Sequence, residues 1–317
     1  MNLHSNPSDF SELIRLASAH FKIVPAFIEK DYWITHVLKQ LSNYQDANHV
    51  VFKGGTSLSK GYHLINRFSE DIDLAMMENN LSGNALKKKI RTVEKVITSD
   101  LSEIIIPGIT SKGSMFRKAL YEYPTVIQNK IDITVPSRII IEINAFANPY
   151  PFVKQTIISF IANYLELMGH GDLLEMYDLN SFSLNVLDKK RTMVEKIVSL
   201  VRFSFSSDAV KSISTKIRHF YDLYYLANDS ECQEYIQSED FKTDFLKLFI
   251  HDQQTFDTPK DWENKKFEDS PLLRDFSALW SRLRFNYQNE LNALAFTAIP
   301  DEKDVEKVVH DLLYSLL

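Results

Sequence analysis

The segment Val50–Ala75, VVFKGGTSLSKGYHLINRFSEDIDLA, holds the residues best suited to chemistry. A glycine pair, Gly54-Gly55, follows the apolar run Val50-Val51-Phe52 and precedes Thr56 and Ser57. Glycine lets the backbone turn sharply and come close to a ligand. The first amides of a helix starting there have no intrahelical partner and carry partial positive charge, which suits a phosphate. Further on, Asp71 and Asp73 flank Ile72 in a second apolar run. On a strand, residues two apart share a face, so the two carboxylates point one way and Ile72 the other. Two carboxylates near a phosphate-binding turn suit Mg²⁺ bridging a nucleoside triphosphate. Taken singly, a Gly-Gly turn or a D-x-D strand is equally the mark of an ordinary solvated surface. Their order in one strand, turn, helix and strand is the specific signal.

A third acid is Glu142, within RIIIEIN. The stretch QNKIDITV-PS-RIIIEINAF reads as a hairpin turning at Pro136-Ser137, with Asp132 opposite Ile141 and Ile131 opposite Glu142. Four isoleucines mark the second strand as buried on both faces. A bare buried carboxylate is costly, so Glu142 is expected to be paired or metal-bound. With this strand beside the D-x-D strand, Glu142 becomes the natural third carboxylate; the alternative is a Glu at a solvated strand edge.

The elements around these residues follow from periodicity. Residues 8–20 read as an amphipathic helix capped by Ser8 or Ser11, and Pro25 opens a second helix in which Glu29, Lys30 and Asp31 form a solvated face or local ion pairs. A helix from about Asn84 carries Lys87, Lys88, Lys89, Arg91 and Lys95, either a solvated face or a wall that meets RNA or triphosphate. MFRKALYEYP reads as a strand. From Phe152 the pattern turns helical: TIISFIANYLELMGHG ends near Gly169, and DLNSFSLNV is a connector. In the helix that follows, Val194, Ile197, Val198 and Val201 form the apolar stripe, with Glu195, Lys196 and Arg202 pointing elsewhere. His219, in the next helix, reads as a surface or packing residue without metal-ligand spacing. Val305, Val308, Val309, Leu312 and Leu313 make a final amphipathic stripe.

Composition bounds these readings. The chain has 317 residues, 44% of them hydrophobic, enough for one large or two medium domains. A single cysteine, Cys232, excludes an internal disulfide framework and fits a reducing compartment. A formal charge of −6 argues against a general nucleic-acid coat while leaving room for local basic patches. With no basic-then-apolar leader and no run of about 18 apolar residues, a soluble, cytoplasmic protein without membrane contact is expected. The fold class expected is α+β, a mixed sheet flanked by helices and then an all-helical C-terminal region. Residues 1–150 form the core with its leading helices, and residues 151–317 the helical domain.

The string FKGGTSLSKGYHLINRFSEDIDL resembles the signature of the AbiEii/AbiGii-type nucleotidyltransferases, toxin components of abortive-infection and toxin–antitoxin systems related to the MenT toxins. IEKDYWITHVLKQL resembles the family's leading helix, RIIIEIN its third-carboxylate strand, VEKIVSLVR its lysine-bearing helix, and IRHFYDLYYL its R-x-x-x-D segment. The resemblance runs over about residues 25–228; one departure is His219, where many members carry Asp directly after the Arg. It implies a polymerase-β-like nucleotidyltransferase fold whose helical domain contributes Lys196 and Asp222 to the cleft. By position, Gly54, Gly55, Thr56 and Ser57 would form the triphosphate turn, Asp71 and Asp73 would hold two Mg²⁺ ions, and Glu142 would be the third acid. Lys196 matches the lysine that contacts nucleotide phosphates, and Asp222 the later acidic residue. The implied reaction moves NMP from an NTP to an acceptor hydroxyl, an RNA such as the tRNA 3′ end, whose backbone basic residues between Lys189 and Arg218 would hold. A cognate antitoxin is the implied protein partner, and phage defence the implied setting. Two rivals are a metal-dependent phosphodiesterase built on the same acids and a catalytically inactive nucleotide-binding module.

Overall fold

A computed structural model describes residues 1–69, 71–77, 81, 83–113, 115–127 and 135–317. Two helices lead the chain. The first, α1 (Pro7–Phe21), is capped by Asn6, whose side chain accepts the Asp9 amide at 3.3 Å. Pro7 fills the first helical position, where its missing N–H costs nothing, so neither Ser8 nor Ser11 is the cap. The second, α2 (Pro25–Ser42), starts on Pro25 as expected.

Of the two expectations for the α2 charges, a solvated face or ion pairs, the solvated face is not what forms. Glu29, Lys30 and Asp31 are as buried as Ile28 and Trp33, within a stretch of α2, residues 26–35, that is buried throughout. Charges persist in such a place only when paired and hydrogen-bonded. Asp31 receives Lys60 Nζ at 2.6 Å and the Phe160 amide at 2.8 Å. Glu29 accepts the Thr125 hydroxyl and the Val126 amide, each at 2.7 Å.

Next in order are β1 (Val50–Lys53), α3 (Gly54–Lys60), β2 (Asp71–Met76), α4 (Gly83–Ile97), β3 (Ser102–Ile104), β4 (Ser111–Lys112), β5 (Phe116–Glu122) and β6 (Arg138–Asn144). Then come β7 (Phe152–Ile157), α5 (Phe160–Leu167), α6 (Gly171–Met176) and β8 (Phe182–Leu187). The strands form one mixed sheet in the order β3-β5-β6-β2-β1-β8-β7, with β4 on β5. β2 is antiparallel to β1 and parallel to β6, and β1 is parallel to β8.

Two strand assignments depart from the sequence reading. The stretch read as helical from Phe152, and the connector DLNSFSLNV, supply β7 and β8, an antiparallel pair in which Val153 faces Val186 and Ile157 faces Phe182. The helix there is only α5, started by Ser159, whose hydroxyl accepts the Ala162 amide. Short apolar runs such as SLNVL fit a buried strand as well as a helix, and sheet pairing decides between them. The hairpin read across Pro136-Ser137 rests in part on residues that are not described. Residues 128–134, including Ile131 and Asp132, lie outside the described residues. A strand has two hydrogen-bonding edges, and those of β6 are taken by β5 and β2.

The chain divides into two compact units, Met1–Tyr62 with Phe68–Leu187, and His63–Arg67 with Asp188–Leu317. The second is built from α7 (Lys189–Ser204), α8 (Ala209–Ser214), α9 (Arg218–Asn228), α10 (Ser230–Ile236), α11 (Glu239–Thr255), α12 (Pro271–Arg274), α13 (Phe276–Leu294) and α14 (Glu302–Tyr314). Val194, Ile197, Val198 and Val201 of α7 are buried, and α7 packs on α8, α9, α11 and α12. Within this unit Arg67 bridges to Ala295 and the Phe296 amide donates to Asn66 O at 3.0 Å. Among the described residues no helix is long and apolar enough to cross a membrane.

Candidate active site

Alternation along two adjacent strands places the acids. On β2, Ile72 and Leu74 are fully buried while Asp71 and Asp73 are half-buried on the opposite face. On β6, Ile139, Ile141 and Ile143 are buried, whereas Ile140 and Glu142 are half-buried. β6 therefore has one buried face, not two, and Glu142 sits on the more accessible one. In the parallel register Asp73 lies opposite Glu142 and Asp71 opposite Ile140. Residues opposite one another on neighbouring strands share a face, so Asp71, Asp73 and Glu142 come together on one side of the sheet.

The glycine turn is packed onto this face. β1 pairs with β2 so that Lys53 lies opposite Asp73. Gly54 follows with φ +77°, and a Cβ built on it would sit 2.0 Å from Asp73 Oδ2. Only glycine fits both that dihedral and that approach. The Thr56 hydroxyl donates to the Asp71 carbonyl, and the Ser57 hydroxyl to Gly54 O at 2.8 Å. Both residues are buried, so their hydroxyls bind the turn to itself and to β2. The donors that remain are the amides of Gly54, Gly55 and Thr56, at a helix start where Lys53 provides no side-chain cap. The other end of α3 is held by Lys60, which donates to Asp31 and to Ile158 O, each at 2.6 Å.

Lys118 of β5, which has no distinguishing mark in the sequence, belongs to this face. It lies opposite Glu142 in the sheet, and its Nζ is 2.5 Å from Glu142 Oε1. Burial pulls the Lys118 ammonium down, but the Glu142 hydrogen bond and the charges of Glu142, Asp71 and Asp73 outweigh it and raise its pKa. The ammonium thus marks where these carboxylates favour positive charge. Three carboxylates form a hard, all-oxygen donor set of the kind Mg²⁺ prefers, and the residues present fit that ion.

Lys196 and Asp222, the other residues singled out by the sequence, meet in the helical unit. Lys196 Nζ is 2.7 Å from Asp222 Oδ2. Asp222 also receives both arms of Arg67, at 2.7 and 2.6 Å. Lys196, off the apolar stripe, is nevertheless buried with its partner. Burial pushes the Asp222 carboxyl up, yet Arg67 and Lys196 outweigh it and hold it well below the usual carboxylate range. His219 Nδ1 is buried without a hydrogen-bond partner among the described residues. Burial first, and Lys196 second, push the pKa of its imidazole far down, so His219 packs as a neutral ring. Arg67, like Lys118, is a residue that sequence reasoning missed. Its only signal is its place four residues before Asp71, inside the motif itself. Of the basic residues from Lys189 to Arg218, Lys189, Arg202 and Arg218 also face acids, at 2.7 Å from Asp229, 3.4 Å from Asp252 and 3.3 Å from Glu290.

The sequence matches a protein-family model described as "Nucleotidyl transferase AbiEii toxin, Type IV TA system" over residues 36–307. No curated protein is similar enough in sequence to count as a match. Among solved structures, MenT4, a nucleotidyltransferase toxin from Mycobacterium tuberculosis H37Rv, is similar with a TM-score of 0.60 and 17% sequence identity, over 96% of this chain and 89% of that one. At that identity the likeness is one of fold.

Proposed function

The chain belongs to the AbiEii nucleotidyltransferase toxin family, and from that premise we propose that it transfers NMP from an NTP to the terminal hydroxyl of an RNA, with the tRNA 3′ end as acceptor. The observation that supports the site is the shared face of Asp71, Asp73 and Glu142, with the Gly54 turn packed against Asp73. The acceptor oxygen attacks the α-phosphorus; the new O–P bond forms as the bond to pyrophosphate breaks. The amides of Gly54, Gly55 and Thr56 donate to triphosphate oxygens, as helix-start amides do. Two Mg²⁺ ions held by Asp71, Asp73 and Glu142 would neutralise phosphate charge and lower the pKa of the acceptor hydroxyl. Lys196, held by Asp222, is the cation assigned to nucleotide phosphates.

Transfer of this kind depends mainly on positioning and electrostatics. A turn whose hydroxyls are tied inward, and whose helix is anchored by Lys60, suits that demand. For the RNA backbone we assign the solvent face of α4, where Lys87, Lys88, Arg91 and Lys95 are exposed. As a toxin of a toxin–antitoxin system the chain has a cognate antitoxin, and NTP and tRNA as substrates put its action in the cytoplasm, in phage defence.

The test is incubation of the chain with total RNA, Mg²⁺ and each α-labelled NTP in turn, beside an Asp73→Ala control. Label on a discrete RNA that disappears in the control is the expected result. RNA shortened without label, or label transferred equally by Asp73→Ala, overturns the reading.

A further inference from the structure

Away from the carboxylate face, three side chains with no part in the transfer converge: His4 in the turn Leu3–Ser5, His36 on α2, and Asp100 shortly after α4. One ligand atom from each lies within 4.8 Å of the other two. We propose that these three residues form a second metal site, of a type that takes a transition-metal ion such as Zn²⁺. His36 Nε2 is 2.7 Å from Asp100 Oδ2. The His4 ring stacks on Trp33, centroids 4.6 Å apart, and meets the His36 ring edge-on at 5.0 Å. His4 is thus held in place by packing.

Its Nδ1 also has a partner. His4 Nδ1 is 2.8 Å from the Tyr32 hydroxyl oxygen, which also accepts the His4 backbone amide at 3.3 Å. In the tautomer whose ring proton sits on Nδ1, Tyr32 accepts that proton and the Nε2 lone pair is open to a metal. Metal-binding histidines are commonly oriented in this way, by a partner on the other ring nitrogen. Two imidazoles and one carboxylate are the three protein ligands of an open zinc site, with water in the fourth position. Imidazole nitrogen selects such ions over Mg²⁺, which prefers oxygen alone. The His36 side chain is 9% exposed and that of Asp100 36%, so an ion enters from the Asp100 side. Once bound it would tie residue 4 to residues 36 and 100, pinning the N-terminal turn to α2 and to the end of α4.

The test uses the tag-free full-length chain carrying Asp71→Asn and Asp73→Asn, in excess Mg²⁺, so that neither the carboxylate face nor transfer activity enters the readout. Zn²⁺ is titrated calorimetrically and thermal unfolding is followed with and without chelator. One equivalent bound, with a chelator-reversible rise in Tm, is expected. Tyr32→Phe should weaken binding by roughly 10–100-fold, the usual effect of losing an outer partner of a ligand, and Asp100→Asn or His36→Gln should abolish it. His4→Gln, in the terminal turn, serves where the α2 variant does not fold. No equivalent bound, or an equivalent retained in Asp100→Asn and His4→Gln, overturns the site and leaves a plain His36–Asp100 hydrogen bond.

Discussion

Arg67 grips both oxygens of Asp222, at 2.7 and 2.6 Å, and the two side chains are 3% and 0% exposed. Lys196 adds a second cation on the same carboxylate. Removing one partner of a buried ion pair typically costs about 3–5 kcal/mol, because the other charge is left buried and uncompensated. Asp222→Asn should therefore lower the urea unfolding free energy by about that much. The pH dependence follows from the lowered pKa of Asp222. A depressed folded-state pKa gives stability that is complete above the unfolded value, about pH 4, and is lost as pH falls below it. Unfolding free energies measured from pH 6 down to pH 3 should fall more steeply for the wild type than for Asp222→Asn.

Asp31 and Lys60 form a second buried pair, 2.6 Å apart with side chains 3% and 10% exposed. Asp31→Ala leaves Lys60 with no counter-charge there, only Ile158 O and the Phe160 ring, and removes the acceptor of the Phe160 amide. A loss of about 3–5 kcal/mol is expected. The double variant Asp31→Ala/Lys60→Met should recover part of it, as a double-mutant cycle by chemical denaturation would reveal.

Gly54 cannot carry a side chain. Gly54→Ala puts a methyl group 2.0 Å from Asp73 Oδ2 at a φ of +77°; the left-handed backbone alone costs about 1–2 kcal/mol. NTP turnover should collapse while far-UV circular dichroism stays native. Gly83→Ala is the control, since nothing lies within 4 Å of its Cβ position, and both activity and Tm should be unchanged.

Lys118 competes for Glu142. Lys118→Gln removes the cation now 2.5 Å from Glu142 Oε1, so the face becomes more negative. The Mn²⁺ concentration for half-saturation, read by electron paramagnetic resonance, should fall. A midpoint that rises would show that Lys118 orders the carboxylates for the ion.

The carboxylates themselves are half-buried and their loss should spare the fold. Asp71→Asn, Asp73→Asn and Glu142→Gln should each reduce labelled transfer by more than the roughly 10–100-fold typical of an outer-shell loss, with Tm within a few degrees of wild type.

Much of this was legible in one dimension. The period of two on a strand puts Asp71 and Asp73 on one face in any fold that keeps D-x-D extended, and the glycine pair before a helix needs no partner to be recognised. The α7 stripe Val194, Ile197, Val198 and Val201 was equally local, and all four residues are buried. β7 and β8 were not, because LNVL satisfies strand and helix alike until a neighbouring strand takes up its amides.

What the sequence alone determined is the set of groups close to one another along the chain: the turn, the paired acids and the strand bearing Glu142. Tertiary structure decided what faces them. The parallel β2–β6 register puts Glu142 opposite Asp73, β5 brings Lys118 to it, and α9 brings Asp222 to Arg67 from 155 residues away. The physical reason is burial. A charge is tolerable inside only with a counter-charge, and which one it meets depends on register and packing rather than on spacing. Thus Glu29, Lys30 and Asp31 fit a solvated face as well as ion pairs in the sequence, and only the surrounding elements, by burying them, decide between the two.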